Sequence, residues 1–418
     1  MQKDFFCVRS LEEVTAYLQA SQPLAVQMLS LEALATGGQR PVLAHDVLAQ
    51  EDLPMASRSG MDGYAVQAQD TFGAGEANPA YLECVGQVHI EKPAAFSLQR
   101  GQCAAIVTGG CLPEGADAVV MVEHTLDMGA NCIEIRKAVP PREHVMLRGE
   151  DALAGHCALT AGTVLRPQEV GLLAALGITS VAVHRAPRVA ILSTGDELVP
   201  PAQCPRVGQV RDVNSFTLAA MVQAAGGQAH CLGIVKDDCA SLEAALYKAV
   251  HEADVVLLSG GSSIGVRDCT LAALQALPDA ELFCHGVALS PGKPLILARV
   301  AGKSVWGLPG QVTSAQVVMT VLGQPFLRRL QGYAAPFDRT LWRQCPAVLT
   351  RNVASKQGRE DFVRVALTQD EAGQWQARPV LGKSGLLRTL VQAQGLVHIP
   401  ASYEGLEGGS AVRVLLFE

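Results

Sequence analysis

The stretch Asp254-Val-Val-Leu-Leu-Ser-Gly-Gly-Ser-Ser-Ile-Gly265 constrains the fold more than any other part of the chain. Its apolar run, Val255 to Leu258, is short and bounded by a charge and by glycines, as in a strand buried on both faces of a parallel sheet. It breaks into Ser259-Gly260-Gly261-Ser262-Ser263, which offers backbone N–H groups with little side-chain bulk. Asp268 and Thr270 then precede a helical run from Leu271 to Leu277. Strand, glycine loop and helix together can hold a phosphate or another oxyanion. A simple tight turn reads the same way, so the flanking segments decide.

Those segments repeat the unit. Val189-Ala-Ile-Leu192 is a buried-strand run that ends at Ser193-Thr-Gly-Asp-Glu-Leu198. Asn214 or Ser215 can cap a helix carrying Leu218, Met221, Val222 and Ala225, closed by Gly226-Gly227. Cys231 to Val235 reads as a strand leading to Lys236-Asp237-Asp238, and Ser241 can cap the next helix. Three strand–helix units in series predict a doubly wound parallel sheet, whose ligands bind beyond the carboxyl ends of its strands. Those ends carry Glu197, Asp237, the Ser259-Gly260-Gly261-Ser262 loop and Asp268, so acids and glycine loops share one rim. Leu289-Ser-Pro-Gly-Lys-Pro294 and Gly307-Leu-Pro-Gly-Gln311 follow, and Thr313 or Ser314 can cap a last helix.

Outside this region the texture differs. Ser10-Leu-Glu-Glu13 reads as a capping box, with Leu11, Val14 and Leu18 as a helical stripe. Pro167 and Gly177 bracket a second helix with Leu172, Leu173 and Leu176 on its apolar side, and these two helices are expected to pack together. Between them lie short β-type runs, Glu83 to Ile90, Ala104 to Val107, Ala118 to Val122 and Cys132 to Ile135, which read as an inserted all-β module. Alternation returns after Gly332, with Phe362 to Leu367, Trp375 to Val380, Leu396 to Ile399 and Val412 to Phe417, predicting a C-terminal β domain. The expected organisation is multidomain α/β plus β: an N-terminal helical linker domain (1–47 and 145–185), the inserted β domain (48–144), the α/β domain (186–331) and the C-terminal β domain (332–418).

A net charge of -7 without a dense Lys/Arg run argues against nucleic acid or an anionic membrane as the main partner. Twelve cysteines without C-x-x-C or metal-ligand spacing are expected to be reduced thiols in a cytoplasmic protein. No apolar run is long enough to span a bilayer. Acids beside glycine loops suit a hard divalent cation, most simply Mg²⁺, bridging carboxylates and substrate phosphates. Lys293, between Gly292 and Pro294, offers an oxyanion a fixed positive charge.

Several ordered motifs carry a resemblance: Ser59-Gly-Met-Asp-Gly-Tyr-Ala-Val66, Thr108-Gly with Pro113-Glu-Gly-Ala-Asp-Ala-Val-Val120, Arg148-Gly-Glu-Asp151, Ser193-Thr-Gly-Asp-Glu-Leu198, Ser259-Gly-Gly, Pro291-Gly-Lys-Pro294 and Leu308-Pro-Gly310. Over nearly its whole length the chain resembles the molybdopterin molybdenumtransferases (MoeA and the E domain of gephyrin). That resemblance implies that adenylylated molybdopterin and molybdate (or tungstate) are converted, with Mg²⁺, to molybdenum cofactor and AMP. It also implies an elongated homodimer whose site combines domains of both subunits, with an adenylyltransferase upstream and acceptor molybdoenzymes downstream. By position, Asp62, Thr108 and Asp151 match site positions outside the α/β domain. Glu197, Asp237 and Asp268 match its rim acids, expected to place Mg²⁺ and the oxyanion. Lys293 matches the lysine of the Pro291-Gly292-Lys-Pro loop and is expected to balance developing charge. The loop Ser259, Gly260, Gly261 and Ser262, with Gly310, would hold phosphate or the pterin side. Arg364 and Ser384 match two positions in the C-terminal domain. The chain departs from the family pattern at Val266, where an acid is common, with Arg267 gained beside it, at Ser290, where a lysine is common, and at Gln311-Val312, where Asn-Pro is usual. These departures fit loop drift, an altered oxyanion choice such as tungstate, or a non-catalytic paralogue that carries molybdopterin or acts as a scaffold.

Overall fold

The computed structural model describes residues 8–38, 40–260 and 264–417, with side chains for all of these except 264–268. At its centre six strands lie in the order Gln228–Val235, Arg188–Thr194, Val255–Gly260, Lys303–Leu308, Ile296–Val300 and Ala280–His285. The first four run parallel, and Ile296–Val300 is antiparallel to both of its neighbours. The period-two geometry of a strand sorts its side chains between two cores. Val189, Ile191, Val255 and Leu257 face one core, together with Leu218 and Val222 of helix Asn214–Ala224 and Val317 and Val318 of helix Val312–Val318. Ala190, Leu192, Val256 and Leu258 face the other, under helices Cys239–Glu252 and Ile264–Ala276. Helices on both faces leave the strands almost no water, which is why they read as unbroken apolar runs. From Arg188–Thr194 the chain crosses to one neighbouring strand and then returns to the other side as Val255–Gly260. The resulting crevice, beyond Thr194 and Gly260, is the switch point of a doubly wound sheet.

The first turn of helix Cys239–Glu252 lies against helix Ile264–Ala276, where Cys239 and Cys269 are disulfide-bonded with Cα atoms 4.9 Å apart. This corrects the expectation of reduced thiols throughout. The two cysteines are 30 residues apart, and only the packing of consecutive helices on one sheet face makes them neighbours.

Helix Leu11–Gln19 has the expected capping box, since Glu13 N–H donates to Ser10 Oγ (3.1 Å) and Ser10 N–H donates to the Glu13 carboxylate (2.8 Å). Its stripe of Leu11, Val14 and Leu18, however, enters the α/β core rather than meeting helix Pro167–Ala175. That second helix packs with Leu31–Thr36 around Leu34, Leu43, Leu165, Leu173 and Val183. Between these segments the inserted module is a six-stranded sheet in which Gly63–Val66 lies between Ala118–Met121 and Gln102–Ile106.

The C-terminal strands close on themselves. Glu360–Gln369 pairs with Trp375–Pro379, and the ladder continues through Gln344–Leu349, Ala411–Leu416 and Gly395–Ile399 back to Glu360–Gln369. Val365, Ala377, Val397 and Val414 fill this barrel. Phe362, Leu396 and Leu415 face outward and are buried in the core of the α/β domain. A seam of backbone bonds joins the same parts: Arg9 N–H donates to Gly286 O, Ala288 N–H to Arg9 O and Glu360 N–H to Ala288 O, while Leu289–Ser290 pairs with Glu360 and Asp361. No described helix is long and apolar enough to cross a membrane.

Candidate functional site

The rim is built on close backbone approach. Gly260 has φ +155°, and a Cβ there would lie 2.1 Å from Thr194 O, so only glycine lets these two strand ends meet. A Cβ on Gly310 would already stand 3.5 Å from the Gly260 backbone. The loops after three adjacent strands, at Thr194, Gly260 and Gly310, are thereby drawn together. Between the loops at Gly260 and Gly310 and Pro294 lies a cavity of about 240 Å³, lined in part by Gly260, Thr270, Pro294, Gly310, Gln311 and Ser314. Ligand pockets typically span roughly 300–1,000 Å³, so this volume suits the anionic end of a substrate better than a whole nucleotide.

The side chains at the neighbouring strand ends have separate tasks. Thr194 Oγ1 donates to Asp237 Oδ1 and fixes that carboxylate at the strand end. The adjacent Asp238 caps helix Cys239–Glu252 through Ser241 N–H (2.8 Å), and that bond holds its carboxyl below the usual range. One acid of the pair is thus structural, and Asp237 faces the rim. Glu197 folds back over Gly195, where a Cβ would meet its Oε2 at 2.9 Å. Asn214, buried at the start of its helix, donates from Nδ2 to Ser259 Oγ (2.6 Å) and to Gly310 O (2.9 Å). Ser193 Oγ donates to Asp212 Oδ1 (3.0 Å) behind it. Sequence reasoning saw Asn214 only as a helix cap and did not single out Thr194, because both act through partners more than forty residues away.

The C-terminal barrel reaches the same rim. Arg364 is buried and donates from Nη1 to Thr313 Oγ1 and Thr389 Oγ1 and from Nη2 to Gly382 O, each at 3.0 Å. Thr313 N–H donates to Ser384 O (3.1 Å). Among the described residues no carboxylate pairs with Arg364, and burial pulls its guanidinium below the ordinary value. Among the described residues this buried cation is balanced by neutral acceptors alone, and it stands one hydrogen bond from Thr313, next to the loop that carries Gly310 and Gln311. In the loop that carries Pro291 and Lys293, Gly292 has φ +132° and lies so close to Val318 that a Cβ would meet Cγ2 at 2.6 Å, and Pro294 lines the cavity.

The remaining candidates lie elsewhere in the chain. Asp62 Oδ1 accepts from Thr108 N–H (2.6 Å) and Oγ1 (2.8 Å), and the backbone bond first, then the hydroxyl, hold its carboxyl below the usual range. This pair belongs to the inserted β module. Exposed Asp151 sits on the linker, its N–H donating to Leu53 O (2.9 Å). Nearby, Arg148 is ion-paired with Asp52, a residue the sequence reading passed over. Among the described residues no hydrogen bond or ion pair links Asp62, Thr108 or Asp151 to the rim. Gly261 and Ser262 lie outside the described residues, as do the side chains of Val266, Arg267 and Asp268.

Among the described residues no three acids, histidines or cysteines gather as a metal site. Mg²⁺ is commonly held by one or two carboxylates, with phosphate oxygens and water completing the shell. Asp237, with one oxygen taken by Thr194, and Glu197 are hard donors of that kind, so the residues present fit it.

Residues 9–177 match the MoeA N-terminal region (domain I and II), 190–329 a probable molybdopterin binding domain, and 346–417 the MoeA C-terminal region (domain IV). A Mycobacterium tuberculosis protein named molybdopterin molybdenumtransferase 2 is 34% identical over 97% of this chain and 99% of its own length. A molybdopterin molybdenumtransferase of a Nostoc species is 34% identical over 90% of this chain and 86% of its own. The crystal structure of a molybdopterin biosynthesis MoeA protein from Pyrococcus horikoshii superposes with a TM-score of 0.82 at 28% identity, covering 98% of this chain and 100% of that one. With full-length relatives of this kind and all three regions present in order, the chain is a transferase of molybdenum cofactor biosynthesis and belongs to the MoeA family of molybdopterin molybdenumtransferases.

Proposed function

We propose that the chain inserts molybdenum into adenylylated molybdopterin, with water adding across the phosphoanhydride so that AMP leaves, the terminal phosphate stays on the pterin and molybdenum cofactor is formed. The observation that carries this reading is the rim itself. Gly260, Gly310, Gln311 and Ser314 line one small cavity at the strand ends, while Thr194 holds the carboxylate of Asp237 at the neighbouring strand end and buried Arg364 bonds Thr313, between the cavity residues Gln311 and Ser314. In this reading the Ser259–Gly260 turn, with Gly261 and Ser262, and Gly310 receive the phosphate or pterin end. Pro291 and Gly292 aim Lys293 at charge that develops on the leaving oxygen. Arg364 and Ser384 shape the oxyanion side, and Asp62, Thr108 and Asp151 complete the site from other domains. Asp237, Glu197 and Asp268 would hold Mg²⁺, which supplies charge neutralisation at the phosphates when bound.

The assembly belongs to the same proposal. The linker strand Val26–Ser30 leaves Val26 and Met28 exposed at 45% and 64%, an apolar edge suited to a homodimer. A cytoplasmic setting, an upstream adenylyltransferase and acceptor molybdoenzymes complete it, as does the division at residues 48, 145, 186 and 332.

Single-turnover AMP release tests the reading, using full-length protein, adenylylated molybdopterin and Mg²⁺ titrated with molybdate or with tungstate. Release with molybdate that is lost in Asp237→Asn is the expected outcome. Release with tungstate alone would tie the departures at Val266, Ser290, Gln311 and Val312 to metal choice. Tight binding without release by either would make the chain a carrier.

A further inference from the structure

An oxyanion site has to do more than offer donors; it must also keep backbone carbonyls from facing the anion. Gly310 lines the rim cavity and its carbonyl oxygen is held by Asn214 Nδ2 at 2.9 Å. The same amide donates to Ser259 Oγ at 2.6 Å. Both amide protons are thereby spent. Ser259 accepts from Asn214, so its single hydroxyl proton is free to point away from it. The Asn214 carbonyl Oδ1, in contrast, is buried without a hydrogen-bond partner. A buried acceptor with no donor is costly and is a poor choice if stability alone decides the residue.

We propose that Asn214 is a positioning residue that sets the gap between the Ser259–Gly260 turn and Gly310 and occupies the acceptors lining that gap, so that the cavity receives the anionic end of the substrate. This deepens the transferase reading and rests on it for the identity of the anion. Asn214 touches neither substrate nor reacting atoms in this scheme; it acts through Ser259 and Gly310.

The test compares Asn214→Asp, which keeps the shape and loses the amide donors, with Asn214→Ser, which keeps one short donor. Steady-state AMP release gives KM for adenylylated molybdopterin and kcat, and direct titration gives the binding constant without turnover. Asn214→Asp is expected to raise KM and the dissociation constant about tenfold or more while kcat changes less than about threefold, with Asn214→Ser between it and the wild type. A protonated Asp can donate once and burial raises its pKa, so the Asp penalty should shrink from about pH 8 to about pH 6, with no such change in the wild type. Equal losses in both variants that follow thermal stability and ignore pH would make Asn214 a packing residue and overturn the proposal, as would unchanged KM and binding in either folded variant. If Asn214→Asp does not fold, Asn214→Ser decides by the same split. Wild-type protein that binds adenylylated molybdopterin but releases no AMP would refute the proposed AMP-releasing reaction alone, leaving the Asn214 proposal to the binding titration.

Discussion

Glu169 shows how one side chain sets a helix start. It reaches back to Arg166 N–H (2.9 Å) and takes Arg166 Nε on the same oxygen (3.0 Å). The Arg166 guanidinium bond, followed by the backbone bonds, outweighs burial and lowers its pKa from 4.5 to about 2. A depressed carboxylate stabilises the folded state above its unfolded value, and the contribution is lost as pH falls through the folded one. Glu169→Gln should therefore cost on the order of 1 kcal/mol at neutral pH. The difference in urea midpoint between variant and wild type should shrink steadily below about pH 4.5; a gap that stays constant to the acid limit would mean that the charge is not what matters. At this scale the sequence was partly legible. Ser10 and Glu13 announced their capping box because its partners are three residues apart. Asp62 and Thr108 were matched singly by resemblance, and their contact, spanning forty-six residues, depends on adjacent strands of a sheet whose order no local pattern states.

At the scale of elements, Gly260 decides whether the rim exists. Its φ of +155° belongs to a region that side-chain-bearing residues rarely enter, and the clash it avoids is with backbone, which cannot rotate away. Gly260→Ala should lose about 3 kcal/mol or more and, with it, AMP release. Urea unfolding checks the first and the turnover assay the second; a stable, active variant would mean that the strand ends can part without cost to the site. The strands themselves were readable because burial on both faces makes them apolar throughout. The fate of helix Leu11–Gln19 was not readable. Its stripe of Leu11, Val14 and Leu18 says that one face is covered, and the α/β core that covers it lies in residues nearly two hundred positions onward. The Cys239–Cys269 pair escaped notice for the same reason, since helix packing rather than spacing brought the two together.

At the scale of the molecule, the C-terminal barrel and the α/β domain share one hydrophobic core. Phe362, Leu396 and Leu415 share a core with Val189, Leu257 and Trp306, and Arg364 is bonded to Thr313 across the same boundary. A fragment of residues 1–331 should accordingly bind an apolar dye and unfold over a broad range of urea, whereas the full chain melts these two parts in one cooperative step. A sharp transition in the fragment, with no dye binding, would show the barrel to be dispensable. The seam at Arg9, residues 286–290 and Glu360 carries this coupling into heredity. Three stretches from the beginning, the later middle and the end of the chain have to agree in register before the Lys293 loop is held in place. Barrels therefore cannot be exchanged between relatives by a single crossover near residue 331; a working chimaera must take the N-terminal edge, the 286–290 segment and the barrel from the same parent.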